Sequence, residues 1–292
     1  MHGSLTQILE LLSQPGNGAL SLMAGVLGLL IGSFLNVVIY RLPRMMQRAT
    51  DNFIAQESGQ DLPHPQRYNL LLPRSCCPRC EQAVQPQHNI PVLGYLLLRG
   101  RCGQCRQPIS LTYPLVETFS ALLSALLVWR FGAGMEGVAA LLFAYFLLSM
   151  SIIDAQTQLL PDDLSLPLMW LGLLVNLGHT FAPLQDAVIG AAAGYGMLWL
   201  IFWAFKLATG KDGLGYGDFK LLAALGAWLG WQALPFILLM ASALGAVVGI
   251  ALVVFRKQAL DQPIPFGPYL AIAGMLALLH GKDWLTGIFY AY

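Results

Sequence analysis

Two aspartates and two cysteine pairs are the residues of this chain whose types and spacing could do chemistry. Asp154 closes the string Ile152-Ile153-Asp154, and Asp218 sits in Gly215-Tyr216-Gly217-Asp218-Phe219-Lys220, each at the edge of a long apolar run. Ionisable groups beside or inside apolar spans are costly and are functional candidates by default. Two carboxylates that share a site split their roles, one holding a proton as general acid while the other activates water. That is peptide-bond hydrolysis without a nucleophilic Ser or Cys. Gly215 and Gly217 leave the backbone beside Asp218 without a Cβ, so an extended strand can approach closely. The plainer alternative is that Asp218 only caps a helix; a partner on the same side favours the chemical reading. Asp218 begins its helix, where the macrodipole favours an anion, whereas Asp154 lies near a helix end. Asp218 is therefore expected as the ionised member of the resting pair and Asp154 as the protonated one.

The cysteines form Cys77-x-x-Cys80 and Cys102-x-x-Cys105, separated by residues 81–101. Two such knuckles suit a tetrahedral zinc site built from four thiolates, closed and hence structural. The alternatives are unligated or redox-active thiols, or iron in place of zinc. Cys76 is expected as a bystander, and His88 is not needed once four thiolates complete the tetrahedron.

Positioning these groups falls to elements of unusual composition. The 292 residues are 57% hydrophobic and only 11% charged, a deficit that a soluble domain does not show. Residues 19–40, 137–153, 164–185 and 187–205 are uncharged, each close to the ~20 residues that cross a bilayer as a helix. Residues 113–131 add a span interrupted by Glu117 near one end and closed by Arg130 at the other; for Glu117 a structural role is at least as good as a catalytic one. Residues 221–255 exceed one crossing and should break near Gly230 and Pro235, and a final span follows at about residue 266. The expected fold is an all-α polytopic membrane protein of about eight transmembrane helices. A small cytoplasmic zinc-binding module lies between helices 1 and 2.

Four parts follow: residues 1–18 as an external amphipathic segment, 19–40 as the first span, 41–112 as the zinc-bearing loop, and 113–292 as a seven-helix membrane domain. Within the loop, residues 45–66 are polar and aperiodic and are expected to be a mobile insert. Placing residues 41–112 inside puts 14 of the 16 Lys and Arg on the cytoplasmic side, leaving only Arg130 and Lys282 outside. Both aspartates then share the cytoplasmic boundary. Asp162 and Asp163 precede an apolar run, so helix capping accounts for at least one of them. The net charge near +1 gives no sign of a nucleic-acid partner.

In combination, Gly32-Ser33-Phe34-Leu35-Asn36, Arg41-Leu42-Pro43, the double cysteine module, Asp154 followed by Leu160-Pro161-Asp162, and Gly215 to Lys220 resemble the bacterial type IV prepilin peptidases over about residues 25–275. The resemblance implies a bacterial inner-membrane aspartyl protease whose catalytic pair is Asp154 and Asp218 and whose cysteine tetrad is Cys77, Cys80, Cys102 and Cys105. It implies type IV prepilins and type II secretion pseudopilins as substrates, cut after a glycine that follows a basic leader. It further implies N-methylation of the new terminus with S-adenosylmethionine. The sequence has no Gly-x-Gly-x-x-Gly signature for that methyl donor. Gly100 and Arg101, beside Arg99 in the cytoplasmic loop, are the candidates to contact it, and a basic surface or membrane-facing patch explains them equally well. Rival readings are a protease alone, an ion-coupled transporter with the aspartates as proton relays, and a pilus-assembly scaffold.

Overall fold

The computed structural model describes residues 14–77, 79–211, 213–256 and 264–280. Most of the expected amphipathic segment 1–18 lies outside the described residues. The chain divides into two compact units, Met1–Gly137 and Val138–Tyr292.

In the first unit, α1 (Gly18–Glu57) and α3 (Thr112–Phe131) pair along their length, and a short α2 (Leu93–Leu97) lies in the loop between them. Between helices in a bilayer there is no hydrophobic drive, so association depends on close backbone approach at small residues. A Cβ on Gly28 would lie 2.9 Å from the Ala121 Cα, and one on Gly32 would lie 2.7 Å from the Glu117 Cα. The Ser120 hydroxyl donates across the pair to the Gly28 carbonyl at 2.8 Å. At the N-terminus of α1, Asn17 accepts the Leu20 N–H, and the Gly16 N–H reaches the Trp129 carbonyl, so the pair is antiparallel.

At 40 residues α1 is about 60 Å long, twice a hydrocarbon core. It does not stop at Tyr40: the stretch expected as a mobile insert is helical to Glu57 and then folds back. Buried Arg41 accounts for this, donating to the carbonyls of Asn69, Leu70 and Pro73 at 3.0, 3.3 and 2.6 Å. Asn52 exchanges two hydrogen bonds with the backbone of His64, and Arg48 stacks over Tyr68. A polar composition thus conceals a segment ordered by side chain to backbone bonds.

The second unit holds α4 (Met135–Thr157), α5 (Asp162–Val175), α6 (Leu184–Thr209), α7 (Tyr216–Leu229), α8 (Leu234–Arg256) and α9 (Gly267–His280). Among the described residues, five helices are long and apolar enough to cross a membrane, and α5, α7 and α9 add three of 14 residues each. The break expected near Gly230 is present, with Gly230 at φ 82° between α7 and a short turn of 3-10 helix.

Helix α7 is apolar all round and is buried from Leu221 to Trp228, the pattern of a central helix. Gly190 of α6 and Gly226 of α7 meet with no room for a Cβ on either, and Gly172 of α5 lies against the Trp228 ring. The Trp228 indole N–H donates to the Leu168 carbonyl at 2.7 Å. Buried Asn176 closes the far end of α7. Its amide donates to the carbonyls of Ala227 and Trp228, both at 2.9 Å, and its oxygen accepts from the N–H groups of Phe181 and Ala182.

Candidate active site and metal centre

Asp154 lies in the last turn of α4 and Asp218 in the first turn of α7, and both are buried, at 5% and 7% exposure. An extended Gly215 ends the loop before α7, and its N–H donates to the Asp218 carboxylate at 3.2 Å. The Asp218 N–H returns to the Gly215 carbonyl at 3.1 Å, so a local turn fixes this acid. Asp154 is held from far away in sequence: the N–H of Gly267, first residue of α9, donates to its Oδ2 at 2.9 Å. The two carboxylates lie within electrostatic reach of one another.

Both acids therefore face a helix N-terminus, Asp218 its own and Asp154 that of α9. The dipole argument that would separate an ionised from a protonated member no longer does so, since the same favourable field acts on each. Gly267 escaped the sequence reading. Its only signal was the string Pro265-Phe266-Gly267-Pro268, which marks a helix start without saying what the start faces.

Leu160 joins the two halves of the site. A Cβ on Gly217 would lie 2.6 Å from the Leu160 Cβ, and one on Gly267 would lie 3.2 Å from the Leu160 Cδ2. The missing side chain at Gly217 thus accommodates Leu160, a packing reason for glycine that is separate from strand approach. At Gly215 a Cβ would make an ordinary 3.6 Å contact with the Asp218 carboxylate. Asp162 does not cap α5, whose N-cap position is Pro161. Its carboxylate takes both contacts of Lys220, at 2.6 and 2.7 Å, and so ties the starts of α5 and α7 together.

In the first unit, the sulfur atoms of Cys77, Cys80, Cys102 and Cys105 all lie within 4.8 Å of one another. Four thiolates at about 2.3 Å from a central ion are about 3.8 Å apart along each edge of the tetrahedron. The Cys77 and Cys105 sulfurs are 3.8 Å apart, so the residues present fit a four-thiolate ion. The two knuckles repeat one design. Cys77 and Cys102 bond the backbone of Gln82 and Gln107, and Glu81 and Arg106 carry a positive φ of 57° and 59° directly after each pair. Backbone N–H groups of Cys105 and Gln104 push the Cys102 thiol down to about 6, while desolvation and the neighbouring sulfurs of Cys102, Cys80 and Cys77 push the Cys105 thiol up to about 11. Cys76 is exposed and outside the cluster.

Glu117, one turn and a half into α3, accepts the Val92 N–H at 2.7 Å and so fixes the start of α2. Gly100 has φ +68°, and a Cβ on it would lie 2.7 Å from the Tyr95 hydroxyl, so backbone and packing both require glycine there. Arg101, with Leu97, Leu98, Arg99 and Arg106, lines a cavity of about 530 Å³.

Residues 26–131 match the bacterial peptidase A24 N-terminal domain, and residues 141–250 match the type IV leader peptidase family. A protein of Aeromonas salmonicida (strain A449) named prepilin leader peptidase/N-methyltransferase is 55% identical over 258 residues, covering 87% of this chain and 89% of that one. The chain belongs to the type IV leader peptidase family. Proteins of the same name from Pseudomonas putida and Pseudomonas aeruginosa are 52% and 53% identical, over 89% and 88% of this chain and 91% and 89% of theirs. No solved structure matches. The two family regions fall on either side of the division between the two units, the aspartates in the second and the cysteine cluster in the first.

Proposed function

We propose that this chain is a bifunctional enzyme of the bacterial inner membrane. It removes the basic leader from type IV prepilins and type II secretion pseudopilins and then N-methylates the new terminus with S-adenosylmethionine. The observation that carries the first activity is the buried pair Asp154 and Asp218, each bonded to a helix-start N–H. One carboxylate takes a proton from a water held between the pair as that water attacks the scissile carbonyl. The other, carrying a proton, hydrogen-bonds the developing oxyanion, and the proton passes to the departing amine as the C–N bond breaks. Burial excludes bulk water, which strengthens every interaction made in the transition state. The Lys and Arg asymmetry supports a cytoplasmic position for the pair, where a basic leader would lie.

For the second activity, S-adenosylmethionine when bound supplies the methyl group. Gly100 and Arg101 remain candidate contacts, Gly100 by shaping the turn that aims Arg101 at its cavity. Cys77, Cys80, Cys102 and Cys105 would hold zinc, which in a closed four-thiolate site folds the module and leaves no open coordination position for a reaction.

The test is leader release, read by mass, from a prepilin in proteoliposomes with wild type, Asp154→Asn and Asp218→Asn. Both variants should lose at least ~100-fold in rate with folding unchanged. Cutting at the wild-type rate by either would eliminate the pair and return the scaffold or transporter readings.

A further inference from the structure

We propose that Gly267 is a positioning residue for hydrolysis: its N–H holds the Asp154 carboxylate, and its missing Cβ leaves the space that the carboxylate and Leu160 border. The inference rests on the two-aspartate reading above and adds a third helix to the machinery. Its observations are geometric. The N–H bond to Asp154 is buried and spans 113 residues of sequence, from the start of α9 to the end of α4. A Cβ at Gly267 would stand 2.7 Å from the Asp154 Oδ2, closer than real Cβ atoms come, and 3.2 Å from its Cγ. On the other side, Leu160 reaches within 3.2 Å of the same point and also fills the space above Gly217, directly before Asp218.

The carboxylate therefore has a donor in Gly267, and a side chain at that residue would have to displace it. Pro268 follows with no N–H of its own, so Gly267 supplies the donor at this turn. Asp218 takes its donor from Gly215, three residues before it, whereas Asp154 depends on a helix that arrives later in the chain.

Gly267→Ala is measured beside Asp154→Asn and Asp218→Asn in proteoliposomes, with cleavage of prepilin and methylation of a pre-cleaved pilin scored separately. A carboxylate displaced by about 1 Å should lower kcat for cleavage ~100-fold and leave KM within about threefold. Methylation should stay at the wild-type rate, as it should in Asp154→Asn. Near wild-type cleavage by Gly267→Ala, with both aspartate variants inactive, overturns the positioning role alone. Continued cleavage by the aspartate variants overturns the pair and this proposal together. Joint loss of cleavage and methylation in Gly267→Ala shows a merely structural glycine and also overturns it.

A second measurement needs no substitution at residue 267. Isotope labels on phenylalanine carbonyl carbons and glycine nitrogens mark two pairs, Phe131–Gly132 and Phe266–Gly267. Asp154→Asn should move the amide resonance of Phe266–Gly267 and leave that of Phe131–Gly132 in place. A Phe266–Gly267 resonance that does not respond removes the hydrogen bond, and with it the proposal.

Discussion

Asn176 shows how much one polar side chain can carry in an apolar surrounding. Its amide makes four hydrogen bonds, two to the C-terminal carbonyls of α7 and two to the N–H groups of Phe181 and Ala182. Asn176→Leu would leave those groups buried without partners, at about 1–3 kcal/mol each. Thermal unfolding in detergent should show a loss of at least about 3 kcal/mol, with cleavage per folded molecule unchanged because α7 is gripped at the end away from Asp218. Glu117 is a second case. Its bond to Val92 N–H sets where α2 starts, and Glu117→Gln replaces that carboxyl acceptor with an amide. Trypsin should then cut faster after Arg99 and Arg101, a change that leaves the aspartate pair untouched. An unchanged digestion rate would show that the bond holds nothing in place.

At the scale of elements, the helices meet through glycines whose absent side chains set the spacing. Gly226 against Gly190 and Gly28 against Ser124 leave no room for a Cβ. Gly226→Leu should therefore separate α7 from α6 and abolish accumulation of folded protein, whereas Gly196→Leu, which has open space around it, should be neutral by the same assay. The four-cysteine module is an element of a different kind, held by loops and two isolated bridges, with its apolar residues Leu93, Leu96 and Leu97 exposed. Such a module depends on its metal for folding. Cys102→Ser should cut zinc content well below one ion per chain by elemental analysis and expose the segment from Arg79 to Arg106 to protease.

For the whole molecule, the placement of charge makes a testable statement about the sides. With 14 of 16 basic residues in alternate loops, Lys211→Cys should resist a membrane-impermeant maleimide in intact spheroplasts, while Glu136→Cys should react. On this orientation the native cysteines lie in an inner loop and should add no background, so labelling of wild type would refute it directly. The second unit also brings the starts of the three short helices to the same end, as the Asp162–Lys220 and Asp154–Gly267 bonds require. At about 21 Å each, α5, α7 and α9 are shorter than a hydrocarbon core. Their N-termini end around the aspartates, where partial positive charge and free N–H groups favour carboxylates.

The sequence by itself determined the class, the eight apolar helices, the two acids and the four thiols, because each is a local signal. Burial requires apolar runs of fixed length, an uncompensated acid beside such a run stands out, and cysteine spacing reports a tetrahedron without reference to the rest of the chain. The helical reach of α1 beyond Tyr40 was not legible, since it depends on Arg41 finding carbonyls some 30 residues later. Nor was the Gly267 donor to Asp154, since α9 arrives 113 residues downstream. The same separation explains why Leu160 and Gly217 were read apart when they form one contact. What a residue is stood in the string of letters, whereas what it faces was decided when helices distant in sequence came within a hydrogen bond of one another.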